Sequence, residues 1–182
     1  MLKIDGVLWH ITMSLDGFVA DKNDTLDCFA GYEGPNPLAS EIMANIGAIL
    51  SGRRTYDINK QPEGGEAYGG EVSVPEFVVT NRPAPVGHRS GLRFLPGNDL
   101  PGAVQTAKAA ADGRLVVIIG PGLAGSMLEA GLIDQVAIHI VPVLLGSGTR
   151  LFDRDTELRK LETVHVSESG PVINLLLRPR PN

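Results

Sequence analysis

The stretch that most constrains this chain is VVIIGPGLAGSML, residues 116–128. Four β-branched residues in succession read as a strand covered on both faces, the pattern of a central parallel strand. Gly120, Pro121 and Gly122 follow at once. Leu123, Ala124, Met127 and Leu128 then recur with the spacing of one helix face. A buried strand that passes through glycines straight into a helix belongs in a sheet where strands and helices alternate.

The rest of the chain supplies that alternation. VLWHITMS reads as the first strand, LDG as a turn, and FVA as its extended continuation. Asn36 and Pro37 suit an N-cap and first helical position for a helix through PLASEIMANI, with Gly47 as its stop. AILSG is a short buried strand and RRTYDI starts a short helix. QPEGGEAYGGE reads as a mobile loop, because nothing in it builds a core. EFVVTN and LRFL read as strands, and DLPGAVQTAKAAADG as a helix capped by Asp99 with Gly113 just past its end. DQVAIHIVPVLLG reads as one long strand, and SGTRLFD as a loop with a possible helical turn. LETVHVSES and VINLLLRP read as a terminal antiparallel pair. The expectation is one α/β domain over residues 1–182, with a mixed, mainly parallel sheet flanked by helices.

Composition narrows the function classes. The formal net charge of −5 argues against a broad nucleic-acid surface. One cysteine, Cys28, allows no intrachain disulfide and fits a reducing compartment. The N-terminus has neither the apolar core nor the cleavage site of a signal peptide, and no apolar run reaches the length of a membrane span. A cytoplasmic protein with no membrane partner is expected. The four histidines show neither HxH nor HExxH spacing, so no metal site is expected; His139 reads as a satisfied strand residue.

In open sheets of this kind ligands bind beyond the carboxyl ends of the strands. Three motifs sit at such ends: SGRRTY, VTNRP and IGPGLAG. A helix N-terminus attracts phosphate through its unpaired N–H groups and partial positive charge, and glycines let the phosphate approach. Arg53, Arg54 and Thr55 could donate to a second phosphate, and Thr80, Asn81 and Arg82 to a third. Taken singly, arginines near turns read equally well as solvated surface; three such motifs in one small acidic chain favour phosphate. Asp16, before Gly17, reads either as an Asp-Gly turn residue or as a carboxylate facing a ligand ring.

The segments MSLDGFVA, GAILSGRRTY, FVVTNRP and the run from Gly120 to Phe152, with the closing hairpin, resemble the dihydrofolate reductase-like superfamily. Within it they resemble the branch containing the riboflavin-biosynthesis reductase domain, the RibD C-terminal type. The resemblance implies NADPH as reductant. By motif, Gly52, Arg53, Arg54 and Thr55 would hold cofactor phosphates, and Thr80, Asn81 and Arg82 would lie near the adenosine 2′-phosphate. Gly120, Pro121, Gly122, Leu123, Ala124 and Gly125 would cradle the pyrophosphate, and Val19 and Ala20 would border the nicotinamide. Asp16 would sit on the substrate side, orienting or protonating the acceptor.

Two departures stand out. The family usually has adjacent glycines, with an unusual cis peptide, where this chain has Gly120-Pro121. Because a cis bond is far less costly before proline, Gly120–Pro121 is expected to be cis. Ordinary dihydrofolate reductases carry an acid at the start of the helix before the GRxT strand, whereas this chain reads GPNPLAS. The expected activity is hydride transfer from NADPH to a small planar heterocycle, pterin-like or pyrimidine-like. Rivals are reduction of a ribosylamino-pyrimidinone phosphate, NADP(H) binding without turnover, and a flavin in the same cleft. The zinc motif of a deaminase is absent from these residues. A homodimer is expected, since the apolar strand VAIHIVPVLL would otherwise risk an exposed edge.

Overall fold

The computed structural model describes residues 2–32, 34–58, 67–154 and 158–180. Ten strands and four α-helices follow one another as β1 (Val7–Ser14), β2 (Phe18–Ala20), α1 (Pro37–Asn45), β3 (Ile46–Gly52), α2 (Arg53–Ile58), β4 (Glu76–Thr80), β5 (Leu92–Pro96), α3 (Leu100–Ala111), β6 (Leu115–Ile119), α4 (Pro121–Glu129), β7 (Gln135–Val141), β8 (Thr149–Arg150), β9 (Leu161–Ser169) and β10 (Val172–Pro179). Eight strands form one sheet in the order β5-β4-β3-β6-β1-β7-β10-β9, and β2 pairs with β8 in a small second sheet. The six strands from β5 to β7 are parallel; β10 and β9 are antiparallel. The carboxyl ends of β1, β3, β4, β6 and β7 therefore lie along one edge of the sheet.

Alternation along each strand divides the core. Val7, Trp9, Ala48, Leu50, Val116 and Ile118 face α3 and α4. Leu8, Ile49, Leu115, Val117 and Ala137 face α1 through Leu38 and Ile42. His10 and His139 continue the α1 side by parity, which puts two imidazoles into an apolar layer. Asn36 caps α1 by accepting from the Ala39 N–H, and Asp99 caps α3 by accepting from Gly102.

Several expectations are corrected. Gly47 does not stop α1: it lies in β3, where an added Cβ would come within 2.8 Å of the Ala111 Cα. Glycine there lets β3 pass close to the end of α3. The long strand ends at Val141, and the expected turn of helix after it is instead β8. The strand β7 is no edge, because β1 and β10 flank it, so the edge argument for a homodimer falls. Most of the loop expected at 61–71 lies outside the described residues. At its end Ala67 is buried with Val72 against the α1 side of the core. Among the described residues no peptide bond is cis, so Gly120–Pro121 is trans. Gly120 makes the turn by itself with φ 85° and ψ 141°, and Pro121 takes the first helical position, where a missing N–H leaves no bond unmade. No helix among these residues is long and apolar enough to cross a membrane.

Candidate functional site

A cavity of about 1260 Å³ opens at the carboxyl edge of the sheet. Pockets for a single small ligand run to about 300–1,000 Å³, so this one has room for two ligands. Its two ends differ in chemistry.

One end is glycine-rich and cationic. Gly52, Arg53, Arg54 and Thr55 line it, as do Gly120, Pro121, Gly122, Leu123 and Gly125. The first turn of α4 has no side-chain cap. Its backbone N–H groups at Gly122 and Leu123 are thus the unpaired donors of a helix N-terminus. A Cβ at Gly122 would meet nothing within 4 Å, whereas one at Gly120 would run into Thr55 Oγ1. The turn is closed on one side by Thr55 and open on the other, a cradle with room for an anion.

The arginines do not form one cluster. Arg53 Nε donates to Asp57 Oδ1 at 2.8 Å, and Arg82 Nη2 donates to Asp57 Oδ2 at 3.1 Å. Arg54 points elsewhere, donating to the Asp24 carboxylate at 2.8 and 2.9 Å. Thr149 also donates to Asp24, at 2.6 Å. These bonds hold the Asp24 carboxyl below the usual carboxylate range, the Thr149 bond contributing most. Thr80, Asn81 and Arg82 stand at the end of β4 outside the cavity lining, and Ala124 is wholly buried behind it. Arg154 was not anticipated: it lies over the first turns of α4, donating to Gly122 O at 2.8 Å and to Ser126 Oγ at 2.9 Å.

The other end is aromatic and polar, with Phe29, Tyr32, Tyr68, His10 and Thr12 in its wall and the carboxylate residue Asp27 beside Phe29. Val19 and Ala20 on β2 also line the cavity. The turn that carries them is held by Asp16. Ser14 Oγ donates to Asp16 Oδ1 at 2.6 Å, and the backbone N–H groups of Leu145 and Gly146 donate to its two oxygens at 3.1 and 2.7 Å. These bonds, the Ser14 bond first among them, pull its pKa down to about 2. Asp16 does not line the cavity. Of its two sequence readings, the structure supplies the turn: the carboxylate ties the β1–β2 turn to the segment before β8. We expect Asp16→Ala to speed hydrogen exchange at the Leu145 and Gly146 amides. Unchanged exchange there would contradict the clamp.

The sequence reading also missed what surrounds His139. His10 Nε2 lies 2.7 Å from His139 Nε2, and His10 Nδ1 lies 2.7 Å from the Tyr68 hydroxyl. His139 Nδ1 is 2.6 Å from Asn174 Oδ1. Burial, and secondarily the neighbouring His139, lower the His10 pKa to about 3. Burial lowers His139 as well, against the Asn174 bond, and raises Tyr68. All three rings are neutral at pH 7. The available signal was parity: His10 and Asn174 are polar residues at inward positions of apolar strands.

The described fold and this cavity can be set beside known proteins. The chain is 25% identical over 173 residues to the uncharacterized protein YwjB of Bacillus subtilis (strain 168), covering 91% of this chain and 93% of that one. A putative riboflavin biosynthesis protein from Shewanella sp. PV-4 has a similar structure, with a TM-score of 0.78, 23% identity and 97% and 99% of the two chains covered. Dihydrofolate reductase from Enterococcus faecalis, solved with NADP(H) and RAB-propyl, superposes with a TM-score of 0.66 at 12% identity over 97% of each chain. The fold is thus dihydrofolate reductase-like. The family described as the RibD C-terminal domain matches residues 6–175, nearly the whole chain, and this protein belongs to that family.

Proposed function

We propose that the protein is an NADPH-dependent reductase that passes a hydride to a small planar heterocycle, pterin-like or pyrimidine-like. The observation that carries this reading is one cavity with two unlike ends, a glycine-rich helix terminus with arginines and an aromatic wall with polar groups. Val19 and Ala20 line the same cavity, as the nicotinamide position requires.

The glycine-rich end fits the cofactor. The open side of Gly122 and the uncapped N-terminus of α4 would take the pyrophosphate. Arg53 and Arg82, brought together by Asp57, would take the 2′-phosphate, with Thr80 and Asn81 beside them. Arg54 would reach a phosphate only by leaving Asp24. NADPH, when bound, supplies the hydride. The chain's own work is to hold the two rings in contact and to exclude water.

Trp9 touches Phe152, which lines the cavity, with ring centroids 5.3 Å apart. Its fluorescence should therefore report cofactor binding. Saturable quenching by NADPH, then loss of NADPH absorbance with members of an acceptor panel, is the expected result. No quenching and no thermal shift would sink the reading. Binding without oxidation by any acceptor would favour a protein that only binds NADP(H). The family match favours one further panel member, a ribosylamino-pyrimidinone phosphate.

NADPH should bind more tightly than NADH by at least about tenfold, since a charge-assisted hydrogen bond contributes roughly 1.5–3 kcal/mol. Equal affinities by calorimetry would remove Arg53 and Arg82 from the assignment. Dihydrofolate should be a poor substrate. Among the described residues, the start of α1 offers the amide of Asn36 and no carboxyl until Glu41, and the lining carboxylate Asp27 stands on the separate turn before α1; Glu33 lies outside them. A well-placed acid contributes typically about 10²–10⁴-fold. A steady-state assay at neutral pH showing turnover like that of ordinary dihydrofolate reductases would overturn this expectation.

A further inference from the structure

The buried polar residues behind the aromatic end form a chain of hydrogen bonds whose direction can be worked out from one end. Asn36 Oδ1 accepts the Ala39 N–H as the cap of α1, so its amide nitrogen faces inward. Asn36 Nδ2 donates to Asn174 Oδ1 at 2.8 Å, and Asn174 Nδ2 donates to Ser169 Oγ at 2.9 Å. The Asn174 atom that faces His139 is therefore a carbonyl oxygen, which only accepts. His139 Nδ1, 2.6 Å away, must carry the proton and donate to it. Asn36 Nδ2 also lies 3.2 Å from His139 Nδ1, but two N–H groups cannot bond to each other.

The direction then propagates. A neutral imidazole protonated at Nδ1 accepts at Nε2. His139 Nε2 hence accepts from His10 Nε2–H, and His10 Nδ1 is left as an acceptor. The Tyr68 hydroxyl must donate to His10 Nδ1. A phenol has one proton and two lone pairs. With its proton committed to His10, the Tyr68 oxygen can offer the cavity only lone pairs. Tyr68 and His10 both line the cavity, and Tyr68 has a left-handed backbone, φ 56°, with its ring stacked on His10 at 5.6 Å.

We propose that the Tyr68 oxygen is a specificity-determining hydrogen-bond acceptor, and that the substrate is a ring that presents an N–H or amino donor at this end of the cavity. The inference rests on the reading of this end as the substrate end of a reductase. It makes the polarity of recognition a consequence of a helix cap on the far side of the wall. A ring with only lone pairs or methyl groups at that edge would face the Tyr68 oxygen without a bond.

Two measurements test this. Long-range proton–nitrogen NMR of the imidazoles at pH 7, on the unaltered protein, should find His139 protonated at Nδ1 and His10 at Nε2. The opposite tautomer at either ring overturns the proposal. NMR titration should then use 2-aminopyrimidine and 2-methylpyrimidine, which have nearly the same shape. The amino compound should bind up to about tenfold more tightly, the worth of one neutral hydrogen bond, and Tyr68→Phe should erase the preference. Equal binding, binding of neither, or a preference that survives Tyr68→Phe overturns it. NADPH titrated separately keeps the readings apart: if NADPH fails to bind while the amino preference holds, the reductase reading falls and the recognition stands.

Discussion

Acidification from pH 7 to 4.5 should destabilise this protein, on the order of 2–3 kcal/mol, through the buried His10–His139 pair. The unfolded chain takes up a proton on this imidazole near its ordinary pKa of 6.5, whereas the folded protein does so only near 3. Between those values the unfolded state binds more protons, so stability is fully present above about pH 6.5 and is lost as the pH falls towards 3. The full span corresponds to an upper bound of about 5 kcal/mol, against a total of about 5–15 kcal/mol for an ordinary domain. His139, also lowered, acts in the same direction. Asp16, Asp21 and Asp24 have lowered pKa values too, but their carboxyls start from 3.8 and so act at lower pH. Urea unfolding at pH 7, 5.5 and 4.5 checks this, with a His10→Gln, His139→Gln double variant beside the unaltered protein. The variant is less stable at pH 7 and should show a flatter pH dependence. Parallel dependences would show that the pair does not resist protonation.

Gly120→Ala should cost about 2–6 kcal/mol and remove the proposed NADPH binding. Its φ of 85° with ψ 141° is a conformation open essentially to glycine, and forcing a side chain into it costs on the order of 1–3 kcal/mol. The new methyl would also run into Thr55 Oγ1, which adds an overpacking term of about 1–3 kcal/mol. For a chain of this size the sum lowers the melting temperature by roughly 4–24 °C. Thr55→Ala in the same chain should restore part of the stability, the steric part, while the backbone strain remains. Thermal melts of the three proteins separate the two terms, and calorimetry with NADPH reads the site. A Gly120→Ala protein with unaltered melting and binding would show that the turn tolerates a side chain and is not the cradle described.

The parts of this structure that were legible in the sequence are those set by neighbours in the chain. The Asn36-Pro37 start of α1, the Asp99 cap of α3 and the passage from β6 to α4 depend on residues a few positions apart. The terminal antiparallel pair was legible for the same reason. What was not legible depends on partners far away. Phe18 pairs with Arg150, and no local pattern in SGTRLFD marks a strand that exists only because β2 is beside it. Tyr68 stands in a glycine-rich stretch that looks like loop, and its place is set by His10, 58 residues earlier. Asp16 could be read two ways, because the amides that bind it lie 129 and 130 residues on. The edge argument for β7 failed because strand order is a property of the assembled sheet.

The position of β1 has a consequence for how the protein is made. It leaves the ribosome before the other strands of the sheet, yet its neighbours are residues 115–119 and 135–141, and the turn behind it is tied down at residues 145–150. Synthesis proceeds at about 5–20 residues per second, so the strand waits several seconds for a partner. During that wait its apolar face has nowhere native to go, and sequence-distant pairing of this kind slows folding. No shortened chain that stops before residue 150 contains the cavity, even though Gly52 to Thr55 are already present. A ligand can therefore act as a folding aid only after synthesis has passed residue 150. Until then the nascent chain depends on whatever shields exposed strands in the cell.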